Sequence, residues 1–301
     1  MKAICTNSYY DICSCKKNYH LPLTLPIYDG HCHVDLFFKH GYTQDDFNLQ
    51  LSRGRKIVLI DNRHQYERWF TNHEITSPNA TILTTYGIHP KYIPNDSGPV
   101  MQQMVNIFKN QYTLNTKTVA IGECGLDNSS RYSLNSQLSI FQFQLKLAAE
   151  LQIPIVLHGR GENVFSLMFD ELKMYLKPNH YIHWHCVNPQ SDLYVISMFM
   201  DYFQNSFIGL NGSVMLSHDQ EQINTFNKWL FNKPNIIDRI VLETDYPHLR
   251  PPELNVSQYT PLSGISTTSK NVVNILRMKN MNITKLIDKS NNNIRRMYSI
   301  D

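Results

Sequence analysis

The stretch "YDGHCHVDL", Tyr28–Leu36, sets two histidines two places apart in an otherwise apolar run, a pattern that core packing alone does not select. Side chains at i and i+2 of a strand share a face, so His31 and His33 are placed to point the same way and to ligate one metal ion. For either histidine alone, a hydrogen-bonded core position is the simpler reading; the rest of the chain shifts the balance. Short apolar, β-branched runs recur as "LPIYDGHCH", "KIVLIDN", "TILTTYGIHP", "TVAIGECGLD", "IPIVLHGR", "HYIHWHC", "SFIGLNGS" and "DRIVLETDYP", which predict about eight strands. Between them lie stretches with apolar residues at three- and four-residue steps, such as Leu134–Gln152 and Glu162–Lys177, which predict helices. Strand then helix, repeated, implies parallel strands. Eight such units in 301 residues predict an α/β chain closed as a (β/α)8 TIM barrel. A doubly wound sheet would more often carry a glycine-rich phosphate loop, and neither GxGxxG nor GxxxxGK[ST] occurs. The barrel is expected over residues 21–301, with residues 1–20 as a flexible N-terminal extension.

A hydrophobic content of 42% supports a sizeable core and excludes global disorder. No run of eighteen apolar residues occurs, and "MKAICTNSYYDICSCKKNYH" lacks the apolar core of a signal peptide, so a soluble protein of the cytoplasm or nucleus, without a membrane partner, is expected. The six cysteines are too unevenly spread for a disulfide framework. Cys13, Cys15 and His20 are the ingredients of a small zinc site, but their spacing matches no strong signature, and an arm with free thiols is expected instead. A net charge of +3 permits a nucleic-acid partner without demanding one. The basic cluster "SRGRK", Ser52–Lys56, reads as a solvated helix end leading into a strand.

The ends of the strands carry the chemistry. His31 and His33 close the first, His89 the third, Glu123 the fourth, His158 the fifth, His183 and His185 the sixth, and Asp245 the eighth. In a barrel these ends meet at the C-terminal mouth. Burying so many polar groups together is costly unless a cation satisfies them, and the mixture of imidazole and carboxylate suits Zn²⁺, Mn²⁺ or Fe²⁺, with Mg²⁺ serving where carboxylate and phosphate dominate. His183 should lie one layer deeper than His185. Arg160 is placed to reach a phosphate at the mouth, and an ion-paired structural role fits it equally. Lys91, Tyr92, Arg131, His248 and Arg250 fall on loops of the same face, where cationic and ring side chains can grip a backbone or stack a base, although each alone reads as loop surface. Asp35 is a candidate to orient a ligand histidine through its second ring nitrogen. Cys32, Cys124 and Cys186 each adjoin a ligand and should pack on the opposite face.

Taken in order, "DGHCHVDL", "GIHP", "AIGECGLD", "VLHGR", the "HC" of His185 and Cys186, "FIGLNGS", "LETDYPHLRP" and "NNNIRRMY" resemble the TatD family of metal-dependent deoxyribonucleases, its eukaryotic branch above all. The resemblance runs from about Ile27 to Tyr298. It implies a two-metal barrel that hydrolyses phosphodiester bonds, with two divalent ions (Mg²⁺, Mn²⁺ or Zn²⁺). Carried over by position, it puts His31, His33, Glu123 and Asp245 on one ion and a bridging Glu123 with His158 and His185 on the other. It makes Asp245 the group that orients water and takes its proton, and puts His89 against substrate phosphate. Sibling barrels that cleave amides, lactones or phosphotriesters commonly bridge their metals with a carboxylated lysine on the fourth strand; glutamate there favours the phosphodiesterase branch. The expected activity is 3′-to-5′ exonuclease action on single-stranded or frayed DNA by a monomer, with RNA, an RNA/DNA hybrid or a small-molecule ester or amide as alternatives. Where the family usually continues after His185 with an aromatic and small residues, Val187, Asn188 and Pro189 follow here, and Asn128, Ser129 and Ser130 follow "GLD". Both changes fall on the substrate rim and spare every ligand.

Overall fold

A computed structural model describes residues 21–22, 24–37, 54–71, 77–111, 117–216, 219–277 and 281–300. The proposed N-terminal extension, its cysteines and Ser52–Arg53 lie outside the described residues. Eight parallel strands form one sheet in sequence order: β1 (Ile27–Cys32), β2 (Ile57–Arg63), β3 (Ala80–Tyr86), β4 (Thr118–Asp127), β5 (Ile155–Arg160), β6 (Tyr181–Trp184), β7 (Asn205–Leu210) and β8 (Ile240–Leu242). Each coincides with an apolar run read from the sequence. Seven consecutive ladders join neighbours, from Ile27 opposite Ile57 at one end to Leu210 opposite Leu242 at the other.

Helices return the chain between most strands: α1 (Ser97–Asn106), α2 (Leu134–Leu151), α3 (Val164–Tyr175), α4 (Leu193–Tyr202), α5 (Gln220–Asn232), α6 (Pro261–Leu276) and α7 (Ile283–Tyr298). Their starts are set locally. Ser133 accepts from the Ser136 amide, Asp192 from Val195, and Thr260 pairs reciprocally with Ser263 ahead of Pro261, so first-turn amides are satisfied where each helix must begin. Their inner faces bury Phe141, Leu145, Met168, Leu172, Phe199, Phe226 and Val272 against the outside of the sheet. A second cluster, Tyr28, Val58, Ile60, Val119, Val156, Phe207 and Val241 with Ile294, Met297 and Tyr298, joins the strands to the C-terminal helix. Among the described residues no helix is long and apolar enough to cross a membrane.

The seam between β1 and β8 is closed without a regular ladder. At the mouth, the Asp245 amide donates to His31 O at 2.8 Å and the His33 amide to Tyr246 O at 2.8 Å. Lower down, side chains of α7 do the pairing: Asn291 accepts from the Tyr28 amide at 3.1 Å and donates to Pro26 O, Ser290 accepts from the Leu242 amide at 2.7 Å, and Asn293 donates to Ile240 O at 2.7 Å. The "NNNIRRMY" segment therefore supplies partners to buried strand-edge groups that would otherwise be orphaned. Asn291→Ala is expected to lower the unfolding free energy by about 1–3 kcal/mol, the cost of leaving the Tyr28 amide and the Pro26 carbonyl unpaired. A shift of the urea midpoint with unchanged slope checks it; no shift would mean that water replaces the side chain.

Candidate metal centre

The strand ends deliver their side chains to one point. β4 is buried along its whole length, which holds Glu123 inside the barrel. Glu123 Oε1 lies 2.7 Å from His158 Nδ1 and 3.1 Å from His185 Nε2, and Oε2 lies 3.4 Å from His31 Nε2. Across the centre, Asp245 Oδ1 lies 3.0 Å from His33 Nε2 and 3.6 Å from His31 Nε2. The His31 and His185 rings stack with centroids 4.1 Å apart. The six side chains expected to hold metal thus converge.

The donor set fits a cation. His31 is fully buried, yet neither ring nitrogen has a hydrogen-bond partner, an arrangement that is costly unless another group uses the lone pair. Its Nε2 faces one oxygen of each carboxylate at distances too long for hydrogen bonds of good strength. Three-residue sets with ligand atoms within 4.8 Å of one another include His31–His33–Asp245, His31–Glu123–His185 and His89–Glu123–His158.

The electrostatics sort the imidazoles. Burial, reinforced by the neighbouring His185, drives His31 down to about 4, so it presents a neutral ring at physiological pH. Burial acts the same way on His33, but the Asp245 carboxylate overcomes it and carries His33 up to about 9. Glu123 is held well below the usual carboxylate range: burial opposes ionisation, and His185, His89, His31 and His158 outweigh it. Asp245 is lowered for the same reason, against burial, chiefly by His33.

A cavity of about 980 Å³ opens above this cluster, lined by His89, Lys91, Tyr92, Arg160, Asn188 and His248 among others. His89 Nε2 stands 3.5 Å from Glu123 Oε1, so it belongs to the donor cluster and not to the rim alone. Lys91 is ion-paired with Asp127 at 3.2 Å while part of its chain stays exposed, Arg160 is exposed at the wall, and the His248 ring sits 5.6 Å from that of His33. Arg131 and Arg250 do not line the cavity. Arg131 is engaged by Tyr132, and Arg250 donates to Leu254 O.

Two expectations are corrected. Asp35 does not orient His33: it pairs with Arg68 at 2.7 Å, one helical turn past the strand, and His33 Nδ1 turns instead to Asn62 O at 2.8 Å. Cys186 does not pack away from the mouth. Its φ of 57° breaks the strand parity after His185, and it lines the cavity with Sγ 3.4 Å from Ser213 Oγ. Cys32 and Cys124 are buried as expected. His183 lies deeper, its Nε2 3.0 Å from Glu243 Oε2.

Three further residues were not singled out from sequence. Asp127 Oδ2 lies 3.3 Å from His158 Nε2, the nitrogen turned away from Glu123. His64, just past β2, brings Nδ1 to 3.1 Å from His33 Nδ1 and forms a fourth donor set with His33 and Glu123. Glu243 faces His185 Nδ1 at 3.4 Å. The "GLD" and "LETD" strings contain the two acids, so their position at strand ends was the one signal; His64 had none beyond following the second strand.

Residues 28–299 match the family model for TatD related DNase. The chain is 25% identical over 290 residues to the Homo sapiens "3'-5' RNA nuclease TATDN2", a match covering 90% of this chain and 35% of that protein. It is 30% identical over 173 residues to the "3'-5' ssDNA/RNA exonuclease TatD" of Yersinia pseudotuberculosis, covering 57% of this chain and 60% of that one. This chain therefore spans about a third of the human relative's length and three fifths of the Yersinia protein's. Among solved structures, a TatD homologue of Escherichia coli, YJJV, superposes with a TM-score of 0.70 at 19% identity, covering 91% of this chain and 98% of that one. With a family model matched along nearly its whole barrel, this chain belongs to the TatD-related DNase family.

Proposed function

We propose that the chain is a metal-dependent nuclease that removes nucleotides from the 3′ end of single-stranded DNA, using two divalent ions held at the barrel mouth. The observation that carries this reading is the convergence of four imidazoles and two carboxylates on the floor of one cavity, with the buried nitrogens of His31 left unpartnered. His31, His33, Glu123 and Asp245 would hold one ion and Glu123, with His158 and His185, the other. When bound, such a pair polarises a phosphoryl oxygen and lowers the pKa of a shared water. A volume of about 980 Å³ is at the upper end for a pocket that encloses a small ligand, which suits a strand terminus.

The protein's own groups then have separable tasks. Asp245 directs Oδ1 toward His33 and His31 and leaves Oδ2 to orient water and accept its proton. The water oxygen bonds to phosphorus, the P–O3′ bond breaks, and the freed 3′ oxygen takes a proton from solvent. Arg160, Lys91 and His248 meet flanking phosphates, with His89 nearest the reacting one. RNA is the second reading, favoured by the amide side chain of Gln190 on the rim, which is suited to bond a 2′-hydroxyl.

The deciding assay follows 5′-labelled single-stranded DNA and RNA of matched sequence with metal-stripped protein, restoring Mg²⁺, Mn²⁺ or Zn²⁺ one at a time. Ladders that shorten from the 3′ end are expected, and their relative rates assign the sugar. Bound metal without cleavage of either polymer would overturn the reading.

Cation uptake should also depend on pH with a definite sign. A ligand nitrogen must be free of its proton: the carboxylates carry His33 up to about 9, raise His158 and hold His185 well above the ordinary imidazole range, each against burial, while His31 is already neutral above about 4. Affinity is therefore expected to rise with pH through neutrality, with proton release on binding at pH 7. Titration calorimetry in buffers of different ionisation heat measures that release; none at pH 7 would mean that the cation displaces no proton from His33, His158 or His185.

A further inference from the structure

A line of fully buried groups runs from the C-terminal helix to the centre. Tyr298 Oη lies 3.0 Å from His183 Nδ1, His183 Nε2 lies 3.0 Å from Glu243 Oε2, and Glu243 Oε1 faces His185 Nδ1 at 3.4 Å. Relative exposure is zero for His183 and Glu243, so no solvent competes for these contacts. Glu243 Oε1 also accepts from the Cys186 amide and from Asn211 Nδ2, each at 2.8 Å. The carboxylate fits because position 209 is glycine: a Cβ there would overlap both of its oxygens.

The proton directions follow from donor arithmetic. An ionised carboxylate only accepts, so the hydrogens of these two contacts belong on His183 Nε2 and His185 Nδ1, both of which face Glu243 at ion-pair distance but off the alignment of a hydrogen bond. His183 Nδ1 is then the bare nitrogen, and it is the nearer of the two acceptors open to the Tyr298 hydroxyl, at 3.0 Å against 3.4 Å for Gly30 O. A neutral His185 has a bare Nε2, and that nitrogen points at Glu123 Oε1, 3.1 Å away.

We propose that Tyr298 and His183 are positioning residues for His185: acting through Glu243, they fix the ring orientation and the Nδ1–H tautomer that turn Nε2 toward the cation. This rests on the reading of the centre as a cation site. It makes α7, which carries no ligand, part of the machinery that sets cation affinity.

Cobalt(II) serves as the probe, titrated into the metal-stripped full chain and followed by visible absorption, with thermal unfolding recorded alongside. In the unaltered protein two equivalents are expected. Tyr298→Phe is expected to weaken one of them about 10-fold and His183→Leu about 10–100-fold, the range found when a group supporting a ligand histidine is lost, with the other equivalent unchanged. His183→Gln is the rescue, because its amide donates to Glu243 and its carbonyl accepts from Tyr298 as the imidazole does; it should retain most of the affinity. Unchanged cobalt affinity in Tyr298→Phe and His183→Leu would overturn the proposal, as would a His183→Gln variant that loses as much as His183→Leu, since packing alone would then account for the position. Failure of the unaltered chain to take up cobalt would instead strike the proposed function.

Discussion

Asp245→Asn should reduce turnover by about 10²–10⁴-fold while the barrel stays folded, the loss expected when a positioned proton acceptor is removed. The amide keeps an oxygen to face His33, and the backbone bond from Asp245 N to His31 O does not involve the side chain. What disappears is the negative charge. His33 then loses the partner that carries it up to about 9, and burial pulls it back down, so the same variant should take up metal with a flatter pH dependence. Steady-state cleavage of a labelled oligonucleotide, with circular dichroism for the fold, checks both parts. A variant that keeps more than a tenth of the activity would show that another group accepts the proton.

Glu123→Gln should have the larger effect on the metals. Glu123 touches His158 and His185 through one oxygen and His31 through the other, so it is the residue common to both halves of the centre. Neutralising it removes the counter-charge of a cluster of buried imidazoles. Cation stoichiometry after equilibrium dialysis is expected to fall from two per chain to one at most, with cleavage below detection, a loss exceeding the roughly 10–100-fold seen for groups that only support a ligand. Two equivalents bound at undiminished affinity would mean that the carboxylate does not bridge.

The sequence made the barrel legible because each strand is a self-contained apolar run, and the convergent donor cluster because packing rarely selects a histidine or carboxylate at the end of such a run. Asp127, Glu243 and His64 were not legible, since their importance lies in a partner contributed by another strand: His158 for Asp127, His185 for Glu243, His33 for His64. Nothing in the local pattern announces those pairings. Strand parity, which placed His31 and His33 correctly, failed at Cys186, where a left-handed residue turns the chain just beyond the strand. Asp35 misled for a related reason: it leaves the strand for a helical turn whose Arg68 contact lies 33 residues away in the chain.

The seam between the first and last strands has a bearing on biogenesis. His31 and Asp245 stand 214 positions apart, and their backbones meet directly. A chain emerging from the ribosome carries His31 and His33 long before Asp245 exists, and α7, whose side chains pair the two strand edges, emerges after both. Cation capture at the Asp245 half of the centre therefore cannot template the early barrel; it registers that the ring has closed. Under the proposed nuclease function, activity would be withheld from every nascent or truncated form that lacks β8.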